Sequence, residues 1–359
     1  MSSTLHQPSL FPRPAPTLAV PAVIDAALRG GADLALSLSA GKDSQALVYL
    51  VAPWFRAQGY PGRCYVVHAD LGRAEWPQTA ELVERMAADV DLPLLVVRRP
   101  KGDLIARFEE RLEATRASGA PFWPSSASRY CTSHLKAGPI DTALRNPAPF
   151  WPSSASRYCT SDLKRGPIDT ALRSAEVVIS AEGVRADESH ARAKKPAVEV
   201  RSGITASSQQ AARNLAMMEP EAALAARQPG QRVALNWRPL LHFNTEEIWQ
   251  ACGTSTADLQ RRRRLYAAGQ HEAALLGWPC HPAYVFGNER LSCAFCVLGS
   301  QNDLLNGAQH NPELYAHLIE LEIVGQATFK NGWSLTQLPV TGEAARLRDQ
   351  VLAGKTLTL

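Results

Sequence analysis

Residues 39–44, with the sequence SAGKDS, lie between an apolar run and a segment with helical periodicity. The apolar run covers 34–38 and the helical pattern covers 45–55. Small residues at such a strand-to-helix turn let backbone N–H groups face an anion, and the helix N-terminus adds unpaired donors and the positive end of its dipole. The segment, called the phosphate loop below, therefore predicts a binding site for a ligand that carries phosphate or sulfate.

The spacing of the phosphate loop excludes the Walker A motif. That motif needs a glycine where Leu36 stands and a serine or threonine where Asp43 stands. The pattern S-x-G-x-D-S instead resembles the PP-loop of ATP pyrophosphatases and adenine nucleotide α-hydrolases. The resemblance implies that Ser39 and Ser44 bind pyrophosphate oxygens, that Lys42 neutralises them and that Asp43 holds Mg²⁺. An ordinary polar turn is the alternative. The nucleotide-binding residues predicted here are Ser39, Ala40, Gly41, Lys42, Asp43 and Ser44.

Apolar runs alternate with helical segments along the chain. The runs are 34–38, 64–68, 92–97 and 177–180. This alternation is typical of an α/β fold with a doubly wound parallel sheet. The predicted organisation is a disordered, Pro-rich N-terminus at 1–22, a nucleotide-binding α/β domain at 23–250, and a helical C-terminal region with the cysteine motif at 251–359.

Composition favours a soluble globular protein. The chain has 359 residues, of which 45% are hydrophobic and 20% charged, so it can bury a large core. It lacks a run of roughly 18 apolar residues, as a membrane helix needs, and lacks a charged segment followed by an apolar leader. We therefore expect a cytoplasmic protein without a membrane partner. The formal charge of +4 suits anionic ligands without requiring nucleic acid.

A second polar segment, HADLG, follows the apolar run 64–68 and includes His68 and Asp70. Ligands of doubly wound sheets bind beyond the carboxyl ends of the strands. We therefore expect the backbone near His68 to contact adenine and Asp70 to face ribose or a metal ion. A plain helix-capping role for Asp70 is the alternative.

Residues 121–145 recur at 149–173 with 23 of 25 positions identical, which indicates a recent tandem duplication. The second copy leads directly into the apolar run 177–180, so the working residues are predicted there. They are Arg157, Cys159, Lys164 and Arg165. The first copy has His134 and Ala137 where the second has Asp162 and Arg165.

Cysteines give the second strong signal. Cys293 and Cys296 form a CxxC pair, a spacing that lets two thiolates bind one metal centre. Cys159 and Cys280 are candidates for the third and fourth ligands. An iron–sulfur cluster, a zinc site and unligated thiols all remain open at this point. Structural disulfides are not expected in a reducing compartment.

Together these motifs resemble the phosphoadenosine phosphosulfate (PAPS) reductase family. The resemblance rests on the phosphate loop, HAD, RYCTSDLK, GVRADES, WRPL and GNERLSCAFC, which span roughly residues 30 to 330. It implies ATP or a related adenine nucleotide at the phosphate loop, with Lys42, Asp43 and Arg185 as catalytic residues. Gly183 and Lys164 are further implied nucleotide contacts. Relatives with cysteines placed like Cys159, Cys293 and Cys296 hold a 4Fe–4S cluster.

The departures from the family bear on the reaction. Sulfonucleotide reductases attack with a cysteine near the C-terminus, but this sequence has no cysteine after Cys296, and Thr160 replaces the second cysteine of their Cys-Cys pair. A branch that includes enzymes of DNA phosphorothioation combines a PP-loop with a cysteine cluster. We therefore predict cleavage of ATP between the α and β phosphates to adenylate an acceptor for sulfur transfer. Reduction of a sulfonucleotide and a non-catalytic regulatory module are the alternatives.

The partners follow from that reaction. An adenine nucleotide is required, a cysteine desulfurase is a candidate sulfur donor, and the acceptor is open between DNA, RNA and a small molecule.

Three other segments have simpler interpretations. The arginines at 261–264 suggest a solvated helix face. A helix capped by Asn244 or Thr245 is expected to bury Trp249 in the core. The stretch 205–231 suggests a helix that acts as a mobile lid.

Overall fold

A computed structural model describes residues 18–117, 151–152, 158–201, 214, 217–228, 230–330 and 332–354. The strands are β1 Asp33–Ser37, β2 Cys64–Ala69, β3 Leu94–Val97, β4 Val177–Ala181, β5 Val198–Val200 and β6 Val233–Trp237. The helices are α1 Ala22–Arg29, α2 Lys42–Gln58, α3 Thr79–Asp89, α4 Leu104–Ala117, α5 Tyr158–Thr160, α6 Gly166–Leu172, α7 His190–Ala193, α8 Pro220–Ala225, α9 Thr245–Ala251, α10 Thr256–Ala267, α11 His271–Leu275, α12 Ala283–Phe286, α13 Gln301–His310, α14 Pro312–Gly325 and α15 Gly342–Leu352. A π-helical turn, Ser161–Arg165, joins α5 to α6, and 3-10 turns occur at Gly72–Ala74, Ala186–Glu188 and Leu335–Gln337.

The six strands form one sheet in the order β3-β2-β1-β4-β6-β5. The pairs β1–β4, β4–β6 and β2–β3 are parallel. The predicted doubly wound α/β fold is therefore confirmed. One departure is β5, which pairs with β6 in the antiparallel direction. Antiparallel edge strands are common on otherwise parallel sheets, because an edge strand needs no crossover helix.

Spatial proximity divides the chain into two compact units. The first consists of Met1–Ser37, Lys42–Cys64 and Glu176–Asp258, and the second of Leu38–Gly41, Tyr65–Ala175 and Leu259–Leu359. Each unit is discontinuous along the chain. The division at residues 250 and 251 that we expected from the sequence therefore stays a prediction.

The first unit is built on β1, β4, β6 and β5. The central side chains of β1, β4 and β6, which are Ala35, Ile179 and Leu235, are fully buried, as parallel strands covered on both faces require. In α2, Leu47 and Val51 lie on the buried face. The Trp54 ring packs edge-on against Trp237 at the end of β6, with 5.5 Å between the ring centres.

The second unit has a core of its own beside β2 and β3. Phe108 of α4 packs against Trp151, with 5.0 Å between ring centres, and Trp151 packs at the same distance against Phe329. Helices α13 to α15 contribute further buried apolar side chains to this core. The described part of this unit is thus rich in helices at its C-terminal end, as predicted.

Several sequence predictions fall outside the described residues. These are the disordered segment 1–22 for its first 17 residues, the first repeat copy at 121–145, Arg157, and most of the proposed lid at 205–231. Among the described helices, none combines the length and apolar character needed to cross a membrane.

Candidate functional site

The phosphate loop connects β1 to α2. Ala40 has a φ of 57°, in the left-handed region, which turns the chain sharply before the helix begins at Lys42. Ala40 and Gly41 are both buried. A Cβ built on Gly41 would lie 3.6 Å from both Leu291 Cβ and the Tyr284 hydroxyl, so the protein itself leaves ordinary room there.

The first turn of α2 brings opposite charges together. The Lys42 ammonium donates to Asp43 Oδ2 at 2.7 Å, and Arg185 Nε donates to Asp43 Oδ1 at 2.5 Å. Lys42 and Arg185 are only 6% and 3% exposed. The structure therefore unites the three residues predicted as catalytic. Both carboxylate oxygens of Asp43 are already engaged by cationic side chains. A Mg²⁺-binding role for Asp43 stays a prediction.

Arg185 is held by further partners of the first unit. Its Nη1 donates to both carboxylate oxygens of Asp187 at 2.6 Å and to Thr245 Oγ1 at 3.2 Å. The sequence analysis missed Asp187 and Thr245 as partners, although Asp187 lies in the quoted GVRADES motif and Thr245 was named as a possible helix cap. Arg192 instead pairs with Glu188 one helical turn away. That ion pair is partly exposed.

Gly183 lies against the peptide that links Asp43 to Ser44. A Cβ on Gly183 would approach Asp43 O to 2.7 Å and Ser44 N to 3.0 Å, closer than real Cβ atoms come to backbone. Glycine is therefore required at this position by packing within the fold. Its predicted contact with nucleotide is not needed to explain it.

His68 ends in a buried polar network in the second unit. Its Nδ1 donates to Leu38 O at 2.9 Å, and its Nε2 lies 3.5 Å from Glu75 Oε2. Burial opposes the charged imidazole, but Glu75, Leu38 O and Asp70 outweigh that effect and raise the pKa of His68. Since a carbonyl only accepts, Nδ1 carries a proton, and Nε2 is the ring nitrogen that faces Glu75.

Asp70 has two partners, but it does not cap a helix, because the N-cap of the following 3-10 turn is Leu71, without a side-chain cap. Its Oδ1 accepts from Gly72 N at 2.7 Å and its Oδ2 accepts from Arg98 Nε at 2.6 Å. Burial works against the carboxylate, but these two donors outweigh it and lower the pKa of Asp70. A contact of Asp70 with ribose or metal stays a prediction.

Three of the four predicted cysteine ligands share one environment. Cys159 and Cys296 both act electrostatically on Cys293, and Lys164 lies near enough to favour its thiolate. Burial raises the pKa of Cys293 and also that of Cys159, where Lys164 again opposes it. Buried thiols in this setting stay protonated until a metal centre or a closer cation stabilises the thiolate.

The cysteine loop, residues 292–296, is fastened to the segment that follows β2. Ala294 N donates to Ala74 O at 3.0 Å, and Trp76 Nε1 donates to Ser292 O at 3.1 Å. Glu75, between these two contacts, also acts electrostatically on Cys293. Sequence reasoning missed Glu75, and no motif that we quoted pointed to it.

Cys280 is buried in the segment before α12. Within the described ranges, no group of three or more His, Cys, Asp or Glu side chains is arranged to hold a metal ion. Ligation by Cys280, like that by the other three cysteines, is therefore a proposal. Lys330, which sequence analysis also missed, donates to Gly299 O and acts electrostatically on Cys296.

The second repeat copy is built into the core. Trp151 Nε1 donates to Ala327 O at 3.3 Å, and Tyr158 lies under the Arg111 guanidinium, 4.1 Å from the ring centre. Asp162, a residue that differs between the copies, accepts from Arg107 Nη2 at 3.0 Å. Copy two thus supplies a carboxylate partner for Arg107, whereas the matching residue of copy one is His134, which cannot carry a negative charge.

The four arginines of α10 are not all solvated, contrary to the sequence interpretation. Arg261 and Arg264 are exposed, but Arg262 is buried and donates to Ala274 O at 2.9 Å. Arg263 donates to Tyr284 O at 2.9 Å and to Asn288 O. Half of the cluster therefore anchors the segment that leads to the cysteine loop.

Two known proteins are similar to parts of this chain. A tRNA(Ile)-lysidine synthase from Bradyrhizobium diazoefficiens is 33% identical over 129 residues, which cover 33% of this chain and 34% of that protein. The chain therefore spans about a third of that relative. The structure of the U34-tRNA thiolase NcsA from Methanococcus maripaludis with its [4Fe-4S] cluster aligns with a TM-score of 0.31 and 12% identity, over 63% of this chain and 58% of that one.

The phosphoadenosine phosphosulfate reductase domain family matches residues 33–271, about two thirds of the chain. The matched region contains the phosphate loop, Arg185, Gly183 and the whole sheet. With the parallel sheet and the charged first turn of α2 both present, the chain belongs to the phosphoadenosine phosphosulfate reductase domain family.

Proposed function

We propose that this protein cleaves ATP between the α and β phosphates and transfers the adenylyl group to an acceptor that then receives sulfur. The observation that carries the proposal is the convergence of Lys42 and Arg185 on Asp43 in the first turn of α2. Two buried cations beside a helix N-terminus form a site for a multiply charged anion.

The chain's own groups account for the activation step. An acceptor oxygen attacks the α-phosphorus, the bond to the bridging oxygen breaks, and pyrophosphate leaves with the bonding electron pair. Lys42 and Arg185 stabilise the charge that develops on pyrophosphate, while Asp43 keeps both cations in place. The acceptor's proton passes to solvent. A sulfur nucleophile then displaces AMP from the activated position.

We further propose that Cys159, Cys293 and Cys296 would hold a 4Fe–4S cluster, since their thiols act electrostatically on one another. Thiolates are the usual ligands of such clusters, and the nearby Lys164 offsets part of their negative charge. With three cysteine ligands, a bound cluster would supply one iron with an open position for an external sulfur ligand. Cys280, which is buried, stays a candidate for a fourth ligand.

A nucleic-acid acceptor is favoured over a small molecule. The support is the partial match to a tRNA(Ile)-lysidine synthase, whose name states a tRNA substrate. A cysteine desulfurase as sulfur donor and a cytoplasmic setting remain parts of the proposal that rest on the sequence alone.

The test is product analysis with ATP labelled at the α-phosphate. Anaerobically reconstituted protein with a pool of tRNA should release labelled AMP and unlabelled pyrophosphate. Lys42→Ala, prepared in parallel, should form neither. Release of ADP and phosphate would contradict the proposal, and sulfite formed from a sulfonucleotide with thioredoxin would indicate a reductase instead.

A further inference from the structure

The sequence of helix α9 predicts an ordinary helix that packs in the core. Its start is fixed by Asn244, whose Oδ1 accepts from Glu247 N at 2.9 Å, while Glu247 Oε2 accepts from Asn244 N at 2.8 Å. This capping box confirms the predicted start. Trp249 is buried, as also predicted.

One face of α9 carries three residues at helical spacing: Thr245, Trp249 and Cys252, the last of which ends the helix. Residues four and seven positions apart lie above one another on a helix. Side chains at these positions therefore point to the same side. In the first unit, that side holds the beginning of α2.

Each residue of this face contacts either Lys42 or Arg185. Thr245 Oγ1 accepts from Arg185 Nη1 at 3.2 Å, and the Cys252 thiol donates to Lys42 O at 3.3 Å. The Lys42 ammonium lies 5.9 Å from the centre of the Trp249 ring, within the range of a cation–π contact. Core packing alone does not require that all three contact the same two residues, or that two of them meet the charged groups.

We infer that this face of α9 is a positioning device, in which Trp249 holds Lys42 and Thr245 holds Arg185 in the geometry that receives polyphosphate. The inference rests on the proposed function, since it assumes that Lys42 and Arg185 bind phosphate. A free lysine side chain has many rotamers, and ordering it on binding weakens affinity. Trp249 on one side and Asp43 on the other order Lys42 beforehand.

The first test needs no nucleotide. An aromatic ring next to Lys42 shifts the NMR signals of its terminal methylene, and Lys42→Met identifies those signals by their loss. We expect the shift in the wild type and in Trp249→Phe, but not in Trp249→Leu. Unshifted Lys42 signals in the wild type would overturn the inference, whatever the protein does with ATP.

The second test measures binding of pyrophosphate and a non-hydrolysable ATP analogue by calorimetry. Trp249→Leu should weaken binding about 3- to 30-fold, as loss of a cation–π contact implies, and Trp249→Phe should weaken it less. In a Lys42→Met background the Trp249→Leu change should have no further effect. An equal loss in both backgrounds would show that Trp249 only packs.

Two further variants provide a control and a second test of the positioning role. Ile248→Val, on another face of the same helix and fully buried, is the matched control and should bind as the wild type does. If Trp249→Leu fails to fold, Thr245→Val removes the acceptor of Arg185 with little change in volume and should weaken binding about 3- to 10-fold. Wild-type binding by Thr245→Val would overturn its assigned role. A wild type that shows the NMR shift but binds neither ligand would refute the proposed function and leave the positioning of Lys42 standing.

Discussion

Replacing Gly41 by alanine separates the needs of the fold from the needs of the ligand. The new methyl group would lie 3.6 Å from Leu291 Cβ and the Tyr284 hydroxyl and 3.7 Å from Ser39 Oγ. These are ordinary van der Waals distances, so we expect the free energy of unfolding to change by no more than about 0.5 kcal/mol. The same methyl would occupy the cradle in which a phosphate oxygen approaches the backbone, and should weaken ATP binding about tenfold or more, roughly 1.4 kcal/mol.

Gly183→Ala is the contrasting variant. Its methyl would lie 2.7 Å from Asp43 O and 2.8 Å from Asp43 C, so the backbone must shift. We expect a loss of about 1–3 kcal/mol in the free energy of unfolding, the usual cost of overpacking. Gly41→Ala should thus mainly weaken nucleotide binding, whereas Gly183→Ala should mainly lower the free energy of unfolding.

Urea denaturation and calorimetry with a non-hydrolysable ATP analogue measure the two quantities. Gly30→Ala, whose Cβ would meet its nearest atoms at 3.4 Å, serves as a surface control. If Gly41→Ala binds the analogue within about twofold of the wild type, a factor worth roughly 0.4 kcal/mol, then the backbone at Gly41 does not face the phosphates and the reasoning fails.

Three further predictions follow from single contacts. Asp162→His, which installs the residue of copy one, removes the anionic partner of Arg107 and should cost about 0.5 kcal/mol of stability in low salt, less in high salt; a salt-independent loss in urea denaturation would speak against an ion pair. Because the pKa of His68 is raised, its pair with Glu75 contributes its full stability below the ordinary pKa of 6.5 and loses it as pH rises through the higher folded pKa. The difference in unfolding free energy between the wild type and His68→Gln should therefore shrink from acidic to alkaline pH. A difference that grows with pH would refute the pairing. Ala40→Val should lower the unfolding free energy by about 2 kcal/mol, because a β-branched residue tolerates a φ of 57° poorly, while Ala40→Gly should stay within about 1 kcal/mol of wild type in the same assay.

Local pattern was sufficient for the fold and for the phosphate loop. Apolar runs marked the buried strands, although β3 begins at Leu94, two residues later than expected. This run is apolar but not buried, since Leu95 and Val96 are exposed, so hydrophobicity alone does not set the ends of the strand. The direction of β5 was beyond prediction, since only three residues form it and pairing direction depends on the connection, not on the strand's own composition.

Contacts distant in sequence explain what was missed at the candidate site. Thr245 lies 60 residues from Arg185. Its place at the start of α9 suggested only a cap. Likewise, Trp249 was expected to be buried, and it is, but burial did not reveal that its neighbour is a lysine ammonium. Side-chain partners of this kind follow from tertiary packing, which no periodicity encodes.

The same limit applies to the cysteines. The CxxC spacing joined Cys293 to Cys296, but spacing could not choose between Cys159 and Cys280 as further partners. The structure brings Cys159 into the electrostatic environment of the pair through the short helix and π-turn of the second repeat copy. The two copies are nearly identical, so only the position of the second copy, directly before β4, favoured Cys159 over the cysteine of the first copy.

In the proposed function, the phosphate loop binds the polyphosphate of an adenine nucleotide at the start of α2. A crystal structure with a non-hydrolysable ATP analogue tests it most directly. The account predicts density for the β and γ phosphates against the backbone of 39–44, with Lys42 and Arg185 in contact. An analogue bound elsewhere, with the loop empty, would contradict it.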